Sequence, residues 1–170
     1  MLSHLSTAEI VAYYKMLPHP EGGYYKETYR SKEEIEVDAL PARFNGNRIF
    51  STAIYFLLER GNFSAFHRIQ SDETWHFYAG GVLNIYVIHE NGELETIRLG
   101  QNISKGQTFQ ATVPAGAWFA SIPAEETDFS FVGCTVSPGF EFIDFELALA
   151  DQLVESYPLY AELIGGLCRC

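Results

Sequence analysis

Hydrophobic and polar positions along the chain follow two periods. Near the start, Ile10, Tyr13, Tyr14 and Leu17 recur at i, i+3, i+4 and i+7, which places them on one helical face. Ser6 and Glu9 precede them with capping-box spacing, in which each side chain satisfies a free backbone N–H. Pro18, with no N–H to give, is the expected stop. From Tyr24 the pattern shortens to a strand period. About ten stretches rich in aromatic and β-branched residues follow, from YYKETYR through RIFSTAIYFLL, FSAFHRI, TWHFYA, VLNIYVIH, ELETIRL, QTFQATV, AWFASI and DFSFVGCTV to FEFIDFELA. Turn residues separate them, and Asn91-Gly92 is the strongest hairpin signal, expected as a type I′ turn. Short strands at this spacing predict an all-β sandwich or barrel rather than alternating βαβ units. After Glu146 the helical period returns in LALADQLVESY and PLYAELI, with Pro158 suited to a first turn and Gly165 to a C-terminal cap. No repeat, linker or low-complexity stretch divides the chain, so one domain spanning 1–170 is expected.

Composition narrows the function classes. Apolar residues make up 47% of 170 residues, enough for a core of its own. No apolar run approaches the roughly 20 residues that cross a bilayer. The opening MLSHLSTAEIVAYYK lacks the basic start, apolar stretch and cleavage site of a secretory leader, so a cytoplasmic protein with no membrane contact is expected. The net charge of −11, with only 11 Lys and Arg scattered along the chain, gives no basic face for phosphates, and nucleic acid is not an expected partner. The three cysteines read as reduced thiols, Cys134 as a buried small hydrophobe and Cys168 and Cys170 as part of a terminal tail. No nucleophile elbow, phosphate loop or dinucleotide fingerprint is present.

The stretch that carries chemistry runs from Gly61 to Gly80. Gly61, His67, Glu73 and Gly80 stand at the spacing of the first cupin motif, with Ile69 where its second His belongs. Further on, Gly106 and Pro114-Ala115-Gly116 match part of the second cupin motif, with Phe119 in place of its His and Pro123 in place of its Asn. Together with LPHPEGGYYKETYRS at 17–31, STAIYFLL, VPAGAWF and SPGFEFIDFELA at 137–148, these stretches resemble the domain-of-unknown-function 985 branch of the cupin superfamily, from about Ser6 to Pro158. The resemblance implies a double-stranded β-helix, or jelly-roll barrel, with an N-terminal helix and one or two short C-terminal helices. It also implies a homodimer, and it is nearly silent on the reaction.

In cupins three His and one Glu hold a divalent metal at the barrel interior. This chain keeps His67 and Glu73, and His76 is the remaining candidate for a two-His, one-carboxylate metal set. Strand alternation turns Glu73, Trp75 and Phe77 inward and His76 outward, unless a bulge after Glu73 shifts the register. The other reading needs no metal: His67 as general base and Glu73 as acid or orienter, acting as an isomerase or epimerase on a sugar-like small molecule. A metabolite-binding module without catalysis would use the same pocket. Phe63, Ala65, His67 and Ile69 share one face by alternation, and with Trp75, Phe77 and Phe119 they are candidate pocket walls. Arg30 is the candidate base for an anion, or else an ion-pair partner for a surface acid. His19-Pro20-Glu21-Gly22-Gly23 reads either as a cover for the barrel mouth or as a turn joining helix to strand. The run from Phe140 to Glu146 reads as an edge strand with an acidic outer face.

Overall fold

The computed structural model describes residues 6–169. Residues 1–5, where the leader was sought, and Cys170 lie outside the described residues. An N-terminal helix α1 (Thr7–Tyr14) is followed by β1 (Leu17–Pro18), β2 (Tyr24–Arg30), β3 (Glu34–Ile35), β4 (Arg48–Ile49), β5 (Thr52–Glu59), β6 (Ser64–Arg68) and β7 (Asp72–Gly80). Then come β8 (Leu83–Ile88), β9 (Leu94–Leu99), β10 (Gln110–Val113), β11 (Trp118–Pro123), β12 (Phe129–Ser137) and β13 (Glu146–Leu147). Helices α2 (Ala150–Ser156) and α3 (Ala161–Leu167) close the fold.

Two antiparallel sheets face each other, one in the order β1-β2-β5-β12-β7-β10, the other β13-β6-β11-β8-β9. Alternation explains the barrel interior. Leu83, Ile85 and Val87 of β8 point between the sheets, where they meet Phe56, Trp75, Phe119, Val132 and Cys134. The opposite faces are also covered, so many strand positions are buried on both sides. Phe66, Ile88 and Ala120 pack under α2 and α3 against Leu153, Ile164 and Leu167. Leu57, Phe129 and Phe131 pack under α1 against Ile10 and Met16. No helix among the described residues is long and apolar enough to cross a membrane.

Four expectations are corrected. Helix α1 carries the predicted capping box, with Ser6 Oγ accepting from the Glu9 N–H and the Glu9 carboxylate accepting from the Ser6 N–H. It ends at Tyr14, because Lys15 takes the left-handed conformation (φ 51°) and turns the chain so that Met16 enters the core. Tyr13 is left 79% exposed, and Leu17-Pro18 becomes an edge strand beside Tyr24-Tyr25, a place where proline's missing N–H costs no ladder bond. The hairpin at Asn91-Gly92 forms with positive φ at Gly92 alone; the Gly92 N–H donates to the His89 carbonyl and the His89 N–H to the Glu93 carbonyl. That is a type I turn closed by a glycine bulge rather than type I′. Gly165 lies inside α3, which runs to Leu167. Phe140–Glu146 is not an edge strand: a 3-10 turn at Phe142–Asp144 folds it over the barrel mouth, and only Glu146–Leu147 pairs with β6.

Candidate functional site

A bulge in β6 sets the polar wall of the barrel. Phe119 of β11 pairs with His67 and Ser121 with Ser64, so three steps of β6 span two of β11. Ser64 and His67, three residues apart, are thereby brought to the same partner, Glu21. The expected face of Phe63, Ala65, His67 and Ile69 is broken accordingly. Phe63 packs with Phe66 on the helix-covered side, its ring 4.5 Å beneath the Arg169 guanidinium. Ala65 is buried and contributes its carbonyl, 2.7 Å from His67 Nδ1. His67 and Ile69 line the cavity.

Strand β7 keeps the expected alternation where it matters. Glu73 pairs across β12 with Val136, Trp75 with Cys134 and Phe77 with Val132. Glu73 reaches the cavity, while Trp75 and Phe77 pack deeper in the barrel core. Phe119 is likewise a core residue, pressed on the His67 ring at 4.0 Å between centroids. The bulge in β7 falls at Tyr78, between the Phe77–Val132 and Ala79–Phe131 pairs, and so comes too late to turn His76 inward. His76 lies on the outer face, its ring nitrogens 3.1 Å from the Thr135 hydroxyl and 3.0 Å from the Gln110 side-chain amide. It is therefore apart from His67 and Glu73. Ile69 and Phe119 offer no donors at the two other ligand positions, and the described residues contain no group of three or more His, Cys, Asp or Glu able to hold a metal. The donor set does not fit a cupin metal centre.

Instead, the turn His19–Gly23 supplies the third acid–base side chain. Gly22 and Gly23 adopt positive φ (119° and 72°), and a Cβ on either would collide with a backbone carbonyl, of Phe63 and of Leu57 respectively. This close approach lets the Glu21 carbonyl accept from the Ala65 N–H at 2.9 Å and from Arg169 Nε at 2.9 Å. The Glu21 side chain then enters the barrel. Its Oε1 accepts from the Ser64 hydroxyl at 2.8 Å, and its Oε2 lies 3.1 Å from His67 Nε2 and 3.4 Å from His19 Nδ1. Sequence reasoning weighed this turn as a cover and missed Glu21. The available signal was a carboxylate between a histidine and two glycines, the pattern of a backbone pressed against a site.

The cavity so formed measures about 260 Å³. Its polar lining is His19, Glu21, His67, Glu73 and Cys134, and its aromatic lining is Phe56, Phe140, Phe142 and Phe145, with Phe145 5.3 Å from the His67 ring. Arginines tie the segment that carries the last three rings. Arg48 grips Asp144 with two contacts of 2.6 Å, and Arg68 bonds Glu146 at 2.8 Å. Arg30, at the rim, is held by Glu27 at 3.0 Å and Glu141 at 2.7 Å, the ion-pair alternative of the sequence reading.

Burial governs the protonation states. It pushes His67 down to about 4, against the smaller upward pull of the Ala65 carbonyl. Burial also pushes Glu73 up to about 8, helped by the charge of Glu21 and opposed by the Cys134 thiol and Trp75 indole. No arginine, lysine or histidine pairs with the Glu73 carboxyl among the described residues, so burial is opposed by these two weak donors alone. Glu21 is raised and His19 lowered, in both cases mainly by burial. A carbonyl only accepts, so His67 Nδ1 carries a proton. One further proton is then shared between His67 Nε2 and Glu21 Oε2, and burial of both favours the neutral pair, with that proton on Glu21. The Cys134 thiol is pushed well up by burial and stays protonated.

Two facing antiparallel sheets closed into a barrel, with a polar pocket at one end, define a cupin. The chain belongs to the family described as Cupin superfamily (DUF985), whose model matches residues 8–148. It is 31% identical over 148 residues to the uncharacterized protein YML079W of Saccharomyces cerevisiae, covering 82% of this chain and 73% of that one. A solved structure of a hypothetical protein from Leishmania major superposes with a TM-score of 0.87 at 32% identity, over 98% of this chain and all of that one (100%). The protein SO0799 of Shewanella oneidensis gives 0.85 at 38% identity, over 97% and 98% of the two chains. Oxalate decarboxylase of Bacillus subtilis shares the fold alone, with a TM-score of 0.53 at 15% identity over 88% of this chain and 36% of that one.

Proposed function

We propose that this cupin is a metal-independent acid–base enzyme of isomerase or epimerase type, acting on one small molecule in the barrel cavity. The observation that carries the reading is Glu73: a buried carboxyl at the cavity wall, without a salt-bridge partner among the described residues and pushed up to about 8 by burial. Such a group donates a proton to an oxygen at which negative charge develops, and takes it back in the reverse step. The Glu21–His67 pair supports the complementary role. Both His67 ring nitrogens are engaged, by Ala65 and by Glu21, so His67 serves as base through its neighbour. A proton leaving a substrate C–H arrives on Glu21, while the proton Glu21 held passes to His67 Nε2. Glu73 gives its own proton to the adjacent carbonyl oxygen, and the site remains neutral overall. Aromatic walls suit a sugar-like or other ring, and a cavity of about 260 Å³ lies below the usual roughly 300–1,000 Å³ range for small-molecule sites, which favours a single ring.

The test is solvent exchange. Candidate hydroxy-carbonyl rings are incubated with the protein in D₂O and followed by NMR. The expected result is deuterium entering a bound ligand, at a rate lost in Glu73→Gln and in His67→Gln. A ligand that binds in this cavity and exchanges equally fast with wild type and Glu73→Gln would sink the reading, and tight binding without exchange would make the chain a binding module. We also propose that the protein pairs as a homodimer, which light scattering at a single chain's mass would rule out.

A further inference from the structure

We infer that the ligand of this cavity carries a positive charge: a small protonated or quaternary amine, held by Glu73 and Glu21 and enclosed by the Phe140, Phe142 and Phe145 rings. The inference rests on the cavity being the ligand site, as proposed above, and adds the charge class of what enters it.

Four observations carry it. Glu73 is 8% exposed, reaches the cavity and has no cationic partner among the described residues, so its buried carboxyl has no counter-charge in place. Glu21 faces the same space from the turn between β1 and β2, and among the described residues its side-chain neighbours in bonding range are a serine and two histidines. No arginine or lysine neutralises either carboxyl through its side-chain oxygens. Arg169 binds the Glu21 carbonyl, and Arg30 is already shared between Glu27 and Glu141. The remaining base at the rim, Lys26, is exposed on β2. Three phenylalanines in mutual edge contact, 5.1 to 6.4 Å apart between centroids, line the same cavity beside the Glu21-bound histidines, with Phe142 stacked on His19 at 6.2 Å and Phe145 5.3 Å from His67. Rings facing a desolvated cation attract it through their quadrupoles, and the two acids supply the counter-charge. An anion would meet two buried carboxyls with the exposed Lys26 at the rim to offset them, while a neutral ring would leave the two acids facing each other. A net charge of −11 draws cations toward the whole surface.

Three rings of matched size, cyclohexylammonium, cyclohexanol and cyclohexanecarboxylate, test the charge class on the full chain by calorimetry at pH 7.5. The ammonium ring is expected to bind at least about 10-fold more tightly than the alcohol and to release protons, as Glu73 ionises beside it. Glu73→Gln, isosteric and neutral, is expected to abolish both the preference and the proton release. Phe142→Ala, at a position 56% exposed and thus tolerant of change, is expected to weaken the ammonium ring by about 2- to 5-fold more than the alcohol. Preference for the alcohol or the carboxylate, an ammonium preference that survives Glu73→Gln, or no ammonium binding at about 10 mM overturns the inference. The two proposals fail separately. A neutral or anionic ring that exchanges with solvent ends the cation preference and keeps the proton transfer, whereas an ammonium ring that binds without exchange does the reverse.

Discussion

Glu73 and Asp144 are each 8% exposed, yet the fold treats them in opposite ways. Asp144 receives a two-pronged grip from Arg48, whose remaining N–H groups are taken by the carbonyls of Gly46 and Asn47. Glu73 receives none. Burial alone therefore does not make a carboxyl reactive. A matched guanidinium turns one into an anchor that holds the aromatic wall over the barrel mouth. Lack of a partner leaves the other protonated and exchangeable near neutral pH.

The largest expected effect comes from making the anchored site resemble the free one. Arg48→Ala strands Asp144 and is expected to cost about 3–5 kcal/mol in chemical denaturation. A loss under about 1 kcal/mol would break the contrast, because the pair would then be ornamental. Next in size is the pH dependence of Glu73. Its folded value, about 8, lies above the ordinary carboxyl value of 4.5, so the folded state holds a proton that the unfolded chain has given up. That contribution to stability is fully present below about 4.5 and is lost as pH rises through 8. His67 has the opposite sign: lowered from 6.5 to about 4, it contributes stability above 6.5 that is lost as pH falls toward 4. Glu73→Gln is expected to flatten the decline between about pH 4.5 and 8, leaving the variant the more stable of the two at the upper end. An unchanged pH profile would mean that Glu73 is solvated after all. Ser64→Ala removes the donor to Glu21 and is expected to cost about 1 kcal/mol, with a smaller change pointing to a replacement donor. The smallest effect belongs to His76, outside the barrel. His76→Ala is expected to shift stability by only about 0.5 kcal/mol and to leave cavity binding of the ammonium ring unchanged.

Much of the fold was legible because its causes are local. Alternation along VLNIYVIH and DFSFVGCTV predicts strands that form almost as written, and glycine at 80, 92 and 116 marks turns that need positive φ. Glu73 and the outward direction of His76 follow from the same period of two, with the late bulge at Tyr78 leaving that inference intact. The faces of Phe63 and Ala65 were not legible, because a bulge is a mismatch between two strands and one strand's sequence does not display it. Glu21 was hidden for a related reason. Its approach to His67 depends on a turn folding back across 46 residues of chain, and only its paired glycines hint at that contact. Phe140–Glu146 misled because its alternation of rings and acids mimics a strand, while the arginines that bend it over the barrel lie at 30, 48 and 68.

The bulge in β6 has a genetic consequence. Most changes of residue type at Phe66 leave the path of the chain intact and trouble only the packing beneath the helices. Loss of a single codon there would leave Ser64 and His67 two residues apart, matching the two-residue step from Phe119 to Ser121, so that plain alternation would hold both on the barrel side without a bulge. Within this short stretch, a family can keep its chemistry while losing a residue, provided that the bulge goes with it.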